Sequence, residues 1–166
     1  MKKTTFALAI ALLAGMSVAH AQDLKLDRKG VYVGGNLGST VDADGRALMG
    51  VVVGSQVHQN LRVEGTYDYN SRQGSNGQAI MVNAVPQYRL PGSVVTPYAL
   101  VGAGYGLDAM GKDGDTKPVY NLGVGVRVGL SEKWEVDARY RHLNAFSRDF
   151  SENETHLVTA GLNYRF

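Results

Sequence analysis

The residues of this chain best suited to chemistry are charged and spaced by two. Arg62, Glu64 and Asp68 form one column, Glu135, Asp137, Arg139 and Arg141 a second, and Arg127 belongs to a third. A spacing of two puts side chains on one face of a β-strand, and the planar guanidinium of arginine matches a carboxylate through paired hydrogen bonds. These columns hold no nucleophile, so the chemistry they offer is ion pairing. His142, Ser147 and Glu154 come closer to catalysis, since they supply the groups used in acyl transfer. Loop serines are common, however, and a triad is defined by geometry, not by proximity in sequence. His142 reads more simply as a rim residue that caps a polar interior. Asp113-Gly114-Asp115 brings oxygen ligands together but lacks the rest of a calcium loop. Gly102, Gly104 and Gly106 imitate a phosphate loop with no helix behind them, which strand packing explains better. No catalytic residue, metal site or cofactor is expected.

The elements that must position these residues are strands. Eight segments show period-two alternation between turn signals: 30–39, 47–57, 60–70, 78–89, 96–106, 118–130, 133–142 and 155–166. The connections alternate in length, short near 57–60, 90–95 and 130–133, longer at 40–46, 71–77, 107–117 and 143–154. This is the rhythm of an eight-stranded antiparallel up-and-down transmembrane β-barrel with short periplasmic turns and longer external loops. The stretch from Asn70 to Gly77, rich in Ser, Gly and Asn, reads as a mobile loop. Pro86 cannot donate to a ladder and predicts a bulge or local break in the fourth strand.

Parity separates two faces. Leu61, Val63, Gly65, Tyr67 and Tyr69 oppose Arg62, Glu64, Thr66 and Asp68; Tyr120, Leu122, Val124, Val126 and Val128 oppose Asn121, Gly123, Gly125, Arg127 and Gly129; Trp134, Val136, Ala138 and Tyr140 oppose Glu135, Asp137, Arg139 and Arg141. Stacked up and down, the strands gather Tyr67, Tyr69, Tyr120 and Tyr140 near the loop end, and Tyr88, Tyr98, Trp134, Tyr164 and Phe166 near the turn end. Two aromatic girdles on an apolar face suit the two interfaces of a membrane. Lys25, Lys29, Lys112, Lys117 and Lys133 lie in the tail, loops or strand ends, while arginines occupy the polar face. A solvated outer face would carry lysine, so the polar face is expected inside.

The ends of the chain point to export. A basic start, an apolar core from Phe6 to Met16 and the small-residue site Ala19-His20-Ala21 read as a signal peptide over residues 1–21. The apolar run is shorter than the roughly 20 residues of a spanning helix. Residues 22–29 then form a short periplasmic arm, and residues 30–166 the barrel domain. Loss of Lys2 and Lys3 with the signal leaves 15 basic residues against 15 acidic ones. Formal neutrality gives no reason to expect nucleic-acid binding, and the absence of cysteine removes disulfide and thiolate chemistry.

The run from Gly30 to Gly38, the strand Leu61–Asp68 and the hairpin from Pro118 to His142 resemble the eight-stranded barrel domain of OmpA-type small outer-membrane proteins. The ending Leu162, Tyr164, Phe166 is similar to the assembly signal of bacterial outer-membrane proteins. The resemblance implies a Gram-negative outer membrane, neighbouring lipid and lipopolysaccharide, a monomer, and folding through periplasmic chaperones and the barrel-assembly machinery. It implies a lumen plugged by charges at Glu64, Arg127, Asp137 and Arg139, with Arg62, Glu135 and Arg165 as neighbours. Glu64 is expected to pair with Arg127 or Arg139, and Asp137 with Arg139. The charge order on the later strands departs from the family pattern, and the periplasmic peptidoglycan-binding domain of longer members does not follow the barrel.

A structural role in the cell envelope is the function this reading favours, because eight strands enclose only enough space for side chains to fill. A narrow gated ion channel is one alternative. A surface adhesin or host-factor-binding barrel is another, resting on acidic loops that hold Asp42, Asp44, Asp108, Asp149 and Glu152 beside Lys112 and Arg148. Lipid A modification is the least supported, since the lipid A deacylase pattern wants a serine two residues after its histidine and Asn144 stands there.

Overall fold

Strands that alternate large apolar residues with small or polar ones have one face that lipid can cover and one that it cannot. Joined edge to edge into a ring, they leave no backbone group unpaired. The computed structural model of the chain describes residues 30–41, 45–72, 75–107, 116–146 and 155–166. The expected signal peptide, the periplasmic arm, and Asp113, Asp115, Ser147, Glu152 and Glu154 lie outside these residues.

Eight strands follow one another: β1 (Val31–Thr40), β2 (Ala47–His58), β3 (Leu61–Arg72), β4 (Ser75–Pro86), β5 (Val95–Leu107), β6 (Lys117–Gly129), β7 (Trp134–Ala145) and β8 (Thr155–Arg165). Each pairs antiparallel with its neighbours, and β1 closes on β8 from Tyr32 opposite Arg165 to Thr40 opposite Leu157. The fold is a closed eight-stranded antiparallel barrel.

The strands extend further at the loop end than their composition predicts. The β3–β4 ladder runs to Arg72 opposite Ser75, through the stretch read as a mobile loop, and β7 continues to Ala145 opposite Val119. Pro86 ends β4 with the expected local break, the ladder to β5 stopping at Ala84 opposite Val101, but parity does not shift, because Gln87 still bridges Tyr98 in the same register. The one register shift between β2 and β3 lies instead at Gln56 and His58, beside the first turn.

The packed interior is the lumen. Val63, Val82, Val101, Leu122, Val124, Val158 and Leu162 are exposed on the outside, whereas Glu64, Thr66, Asn83, Asn121, Arg127, Asp137 and Arg141 are buried within. No helix among the described residues is long and apolar enough to cross a membrane, and the strands supply the spanning band.

Candidate functional site

Inward parity on β3, β6 and β7 aims the charged columns at one another across the barrel. Glu64 is fully buried at its centre. It accepts hydrogen bonds from the Tyr32 hydroxyl (2.6 Å), from Arg139 (3.0 Å) and from Arg127 (3.2 Å). Asp137 accepts from Arg139 Nε (2.7 Å) and the Tyr98 hydroxyl (2.8 Å), and Arg127 reaches Gln87 at 2.7 Å. Four charges, two of each sign, thus share one connected network. The expected pairs of Glu64 and Asp137 are all within this set, and Glu64 joins both arginines at once.

Further groups stack on either side. Toward the turns, Glu135 is held between Arg62 (2.5 and 3.0 Å) and Arg165 (2.7 Å). A cavity of about 160 Å³ opens there, lined in part by Arg62, Gln87, Arg127, Glu135 and Arg165. Toward the loops, Asn121 donates to Asn83 (2.8 Å), and Arg141 grips Asp68 with both terminal nitrogens (2.7 and 3.1 Å). Beyond that pair the lumen turns apolar: Leu48, Ala79, Met81, Val119, Leu143, Ala145 and Leu157 form a buried cluster. Arg62, Arg127, Arg139 and Arg141 are each at least 96 % removed from solvent. Charges this enclosed persist only when paired.

The outer face carries the aromatic residues. Tyr120 lies outward on the loop side with Tyr67 and Tyr69, and Tyr105 joins them, exposed on β5. Tyr140, expected in that girdle, is outward but stands near the middle of β7, opposite Val124. At the turn end Tyr88, Trp134 and Phe166 are exposed, and Tyr164 packs edge-on against both Trp134 (5.0 Å) and Phe166 (5.1 Å). Tyr98 is a correction. It belongs to the lumen and not to a girdle, only 6 % exposed, because the even positions of β5 face inward and its hydroxyl is needed at Asp137. His142 is a second correction. It does not cap the lumen but shares the outward parity of Tyr140, beside His156.

Sequence reasoning missed three features of this site. Tyr32 shares its parity with Gly34, Asn36 and Gly38, a small and polar face that marks it as inward. Gln87 lies beyond the proline at which alternation is expected to falter. The apolar layer at the loop end has no signal, because its members stand at positions whose parity elsewhere is polar. No cluster of three or more metal-ligating side chains occurs among the described residues.

A closed eight-stranded barrel with a lipid-compatible outside and a charge-filled inside defines a class, the small outer-membrane barrels. The chain matches the outer membrane protein beta-barrel domain over residues 7–166, and it belongs to that family. Among solved structures it is similar to the N-terminal β-barrel domain of Pseudomonas aeruginosa OprF, with 14% identity and a TM-score of 0.69 over 83% of this chain and 98% of that one. It is also similar to Neisserial surface protein A (16% identity, TM-score 0.65, 82% of this chain and 96% of that one). A third likeness is to the outer membrane enzyme PagL (12% identity, TM-score 0.55, 81% and 99%). No curated relative matches the chain. Identities this low establish the fold and leave the role to the residues themselves.

Proposed function

We propose that this protein is a structural barrel of the outer membrane whose lumen is closed and whose function lies in the envelope itself and in the loops it presents. It would be exported through cleavage after residue 21, inserted by the barrel-assembly machinery with the help of periplasmic chaperones, and held as a monomer among lipid and lipopolysaccharide. The observation that carries the closed lumen is the burial of Glu64 between Arg127 and Arg139 beneath a separate apolar layer. An ion on the axis would have to separate both buried ion pairs and then cross a dry constriction, and each step is unfavourable. A non-catalytic role is supported by Asn144, which stands two residues after the outward-facing His142 and offers no nucleophile.

Planar-bilayer recording tests the closed lumen. The barrel should be silent or show only rare, small openings. Steady conductance that both Glu64→Ala and Arg139→Ala alter would replace this reading with a gated channel. An altered lipid A mass in cells expressing the protein would establish an enzyme instead.

A further inference from the structure

His142 and His156 stand directly opposite each other on β7 and β8, near the loop end and with outward parity. Their ring centroids are 4.9 Å apart, with planes inclined at 46°. Two imidazoles sharing one tetrahedral metal at about 2.0 Å per bond place their centroids roughly 5 Å apart, and the separation of this pair is compatible with a shared ion. Both rings are half-buried, open on one side to the surroundings of the barrel. Among the described residues no hydrogen bond occupies a nitrogen of His142. The Tyr140 hydroxyl lies 2.7 Å from Nδ1 of His156, and the Tyr140 ring stacks on the same imidazole at 5.8 Å.

We propose that His142 and His156 form a site for one divalent transition ion, Cu²⁺ or Zn²⁺, on the outer rim of the barrel. Tyr140 acts as its positioning residue. With the proton of His156 on Nδ1 and donated to the Tyr140 oxygen, Nε2 carries the lone pair a metal needs, because an acceptor at one ring nitrogen fixes the tautomer that leaves the other free to ligate. His142 brings the second imidazole across the ladder, and water fills the remaining positions. Copper binds such nitrogen ligands more tightly than zinc. The site clips the last two strands together just below the connection between them.

Titration of the folded barrel in detergent with CuCl₂ and with ZnCl₂ tests the site. One saturable ion per barrel is expected, with Cu²⁺ the tighter and an electron paramagnetic resonance spectrum showing two coordinated nitrogens. Either His142→Ala or His156→Ala should weaken binding at least tenfold, and Tyr140→Phe about tenfold. His58→Ala, at the opposite end of the barrel, should leave binding unchanged. No saturable binding by the native barrel, or equal affinity after both histidine substitutions, would overturn the site. If a histidine variant fails to fold, the nitrogen count in the native barrel decides alone: fewer than two coordinated nitrogens overturns it. Unchanged affinity in Tyr140→Phe would remove the positioning role.

Discussion

Tyr98 and Gly125 face each other across the β5–β6 ladder, and the tyrosine ring occupies the space that a Cβ on the glycine would need. The Arg127 guanidinium lies 4.1 Å from the centroid of the same ring. Tyr32 repeats the arrangement against Gly54, with Arg62 at 4.7 Å. Two glycines thus let two aromatic rings lie against the barrel wall, from which their hydroxyls reach the central carboxylates. Gly125→Ala should therefore push Tyr98 off Asp137 and lower stability by about 1–3 kcal/mol, the usual cost of overpacking. Gly35→Ala, whose new methyl would meet nothing nearer than 3.9 Å, should change it by less than about 0.5 kcal/mol. Urea unfolding of both variants in lipid vesicles checks the contrast.

This pairing also shows where sequence reading stops. On β3, β6 and β7 one face is charged or small, so parity alone separates inside from outside. On the turn-side half of β5 both faces are apolar: Tyr98 and Leu100 point in, while Ala99 and Val101 point out. Gly102, Gly104 and Gly106 share the parity of Tyr98, as Gly34 and Gly38 share that of Tyr32. The large Tyr98 and Leu100 interrupt that small face, however, and the fit of Tyr98 against Gly125 emerges only with the register between strands. The eight strands and the central charges were thus legible from period and sign. Leu143 and Leu157 were not legible as lumen residues, because hydrophobicity marks lipid-facing and lumen-filling positions alike.

Asp68 and Arg141 form a two-pronged pair from opposite walls of the barrel, above the central network. Both residues read as inward, yet nothing in a linear sequence reports distance across a lumen. Asp68→Ala should cost about 3–5 kcal/mol, since it strands a buried guanidinium. Replacing both partners with apolar residues, as in Asp68→Leu with Arg141→Met, should recover most of that loss, because removing the whole pair also removes its desolvation penalty. Equal loss in the single and double variants, read by unfolding midpoint, would show that the pair does more than neutralise itself.

Two layers fill the lumen by different physics, the ion pairs of Glu64 and the apolar cluster beyond them. Glu64→Ala leaves Arg139 with Asp137 and Arg127 with Gln87, so the centre loosens while the apolar layer of Leu48, Val119, Leu143 and Leu157 stays intact. Glu64→Ala alone should lower stability by about 3–5 kcal/mol and still pass no steady current. Adding Leu143→Gly and Leu157→Gly should open a water path and give measurable conductance. Current from Glu64→Ala alone in planar bilayers would make the ion network the sole barrier.

Depth along the outer face supplies a test of orientation that does not involve the lumen. Val124 is 58 % exposed near the middle of β6, between Ala99 on β5 and Tyr140 on β7. Val128 lies on the same face at the turn end. A guanidinium facing the hydrocarbon midplane costs about 2–4 kcal/mol in a membrane barrel, falling to about 0–1 near either interface. Val124→Arg should therefore destabilise the barrel in lipid vesicles by several times as much as Val128→Arg, which can extend its charge to the headgroups. In short-chain detergent the difference should shrink, because such a micelle lets water closer to the middle of the band. Equal penalties at the two positions in vesicles would mean that Val124 does not lie at the centre of the bilayer. The girdle of Trp134, Tyr164 and Phe166 would then no longer mark the turn-side interface.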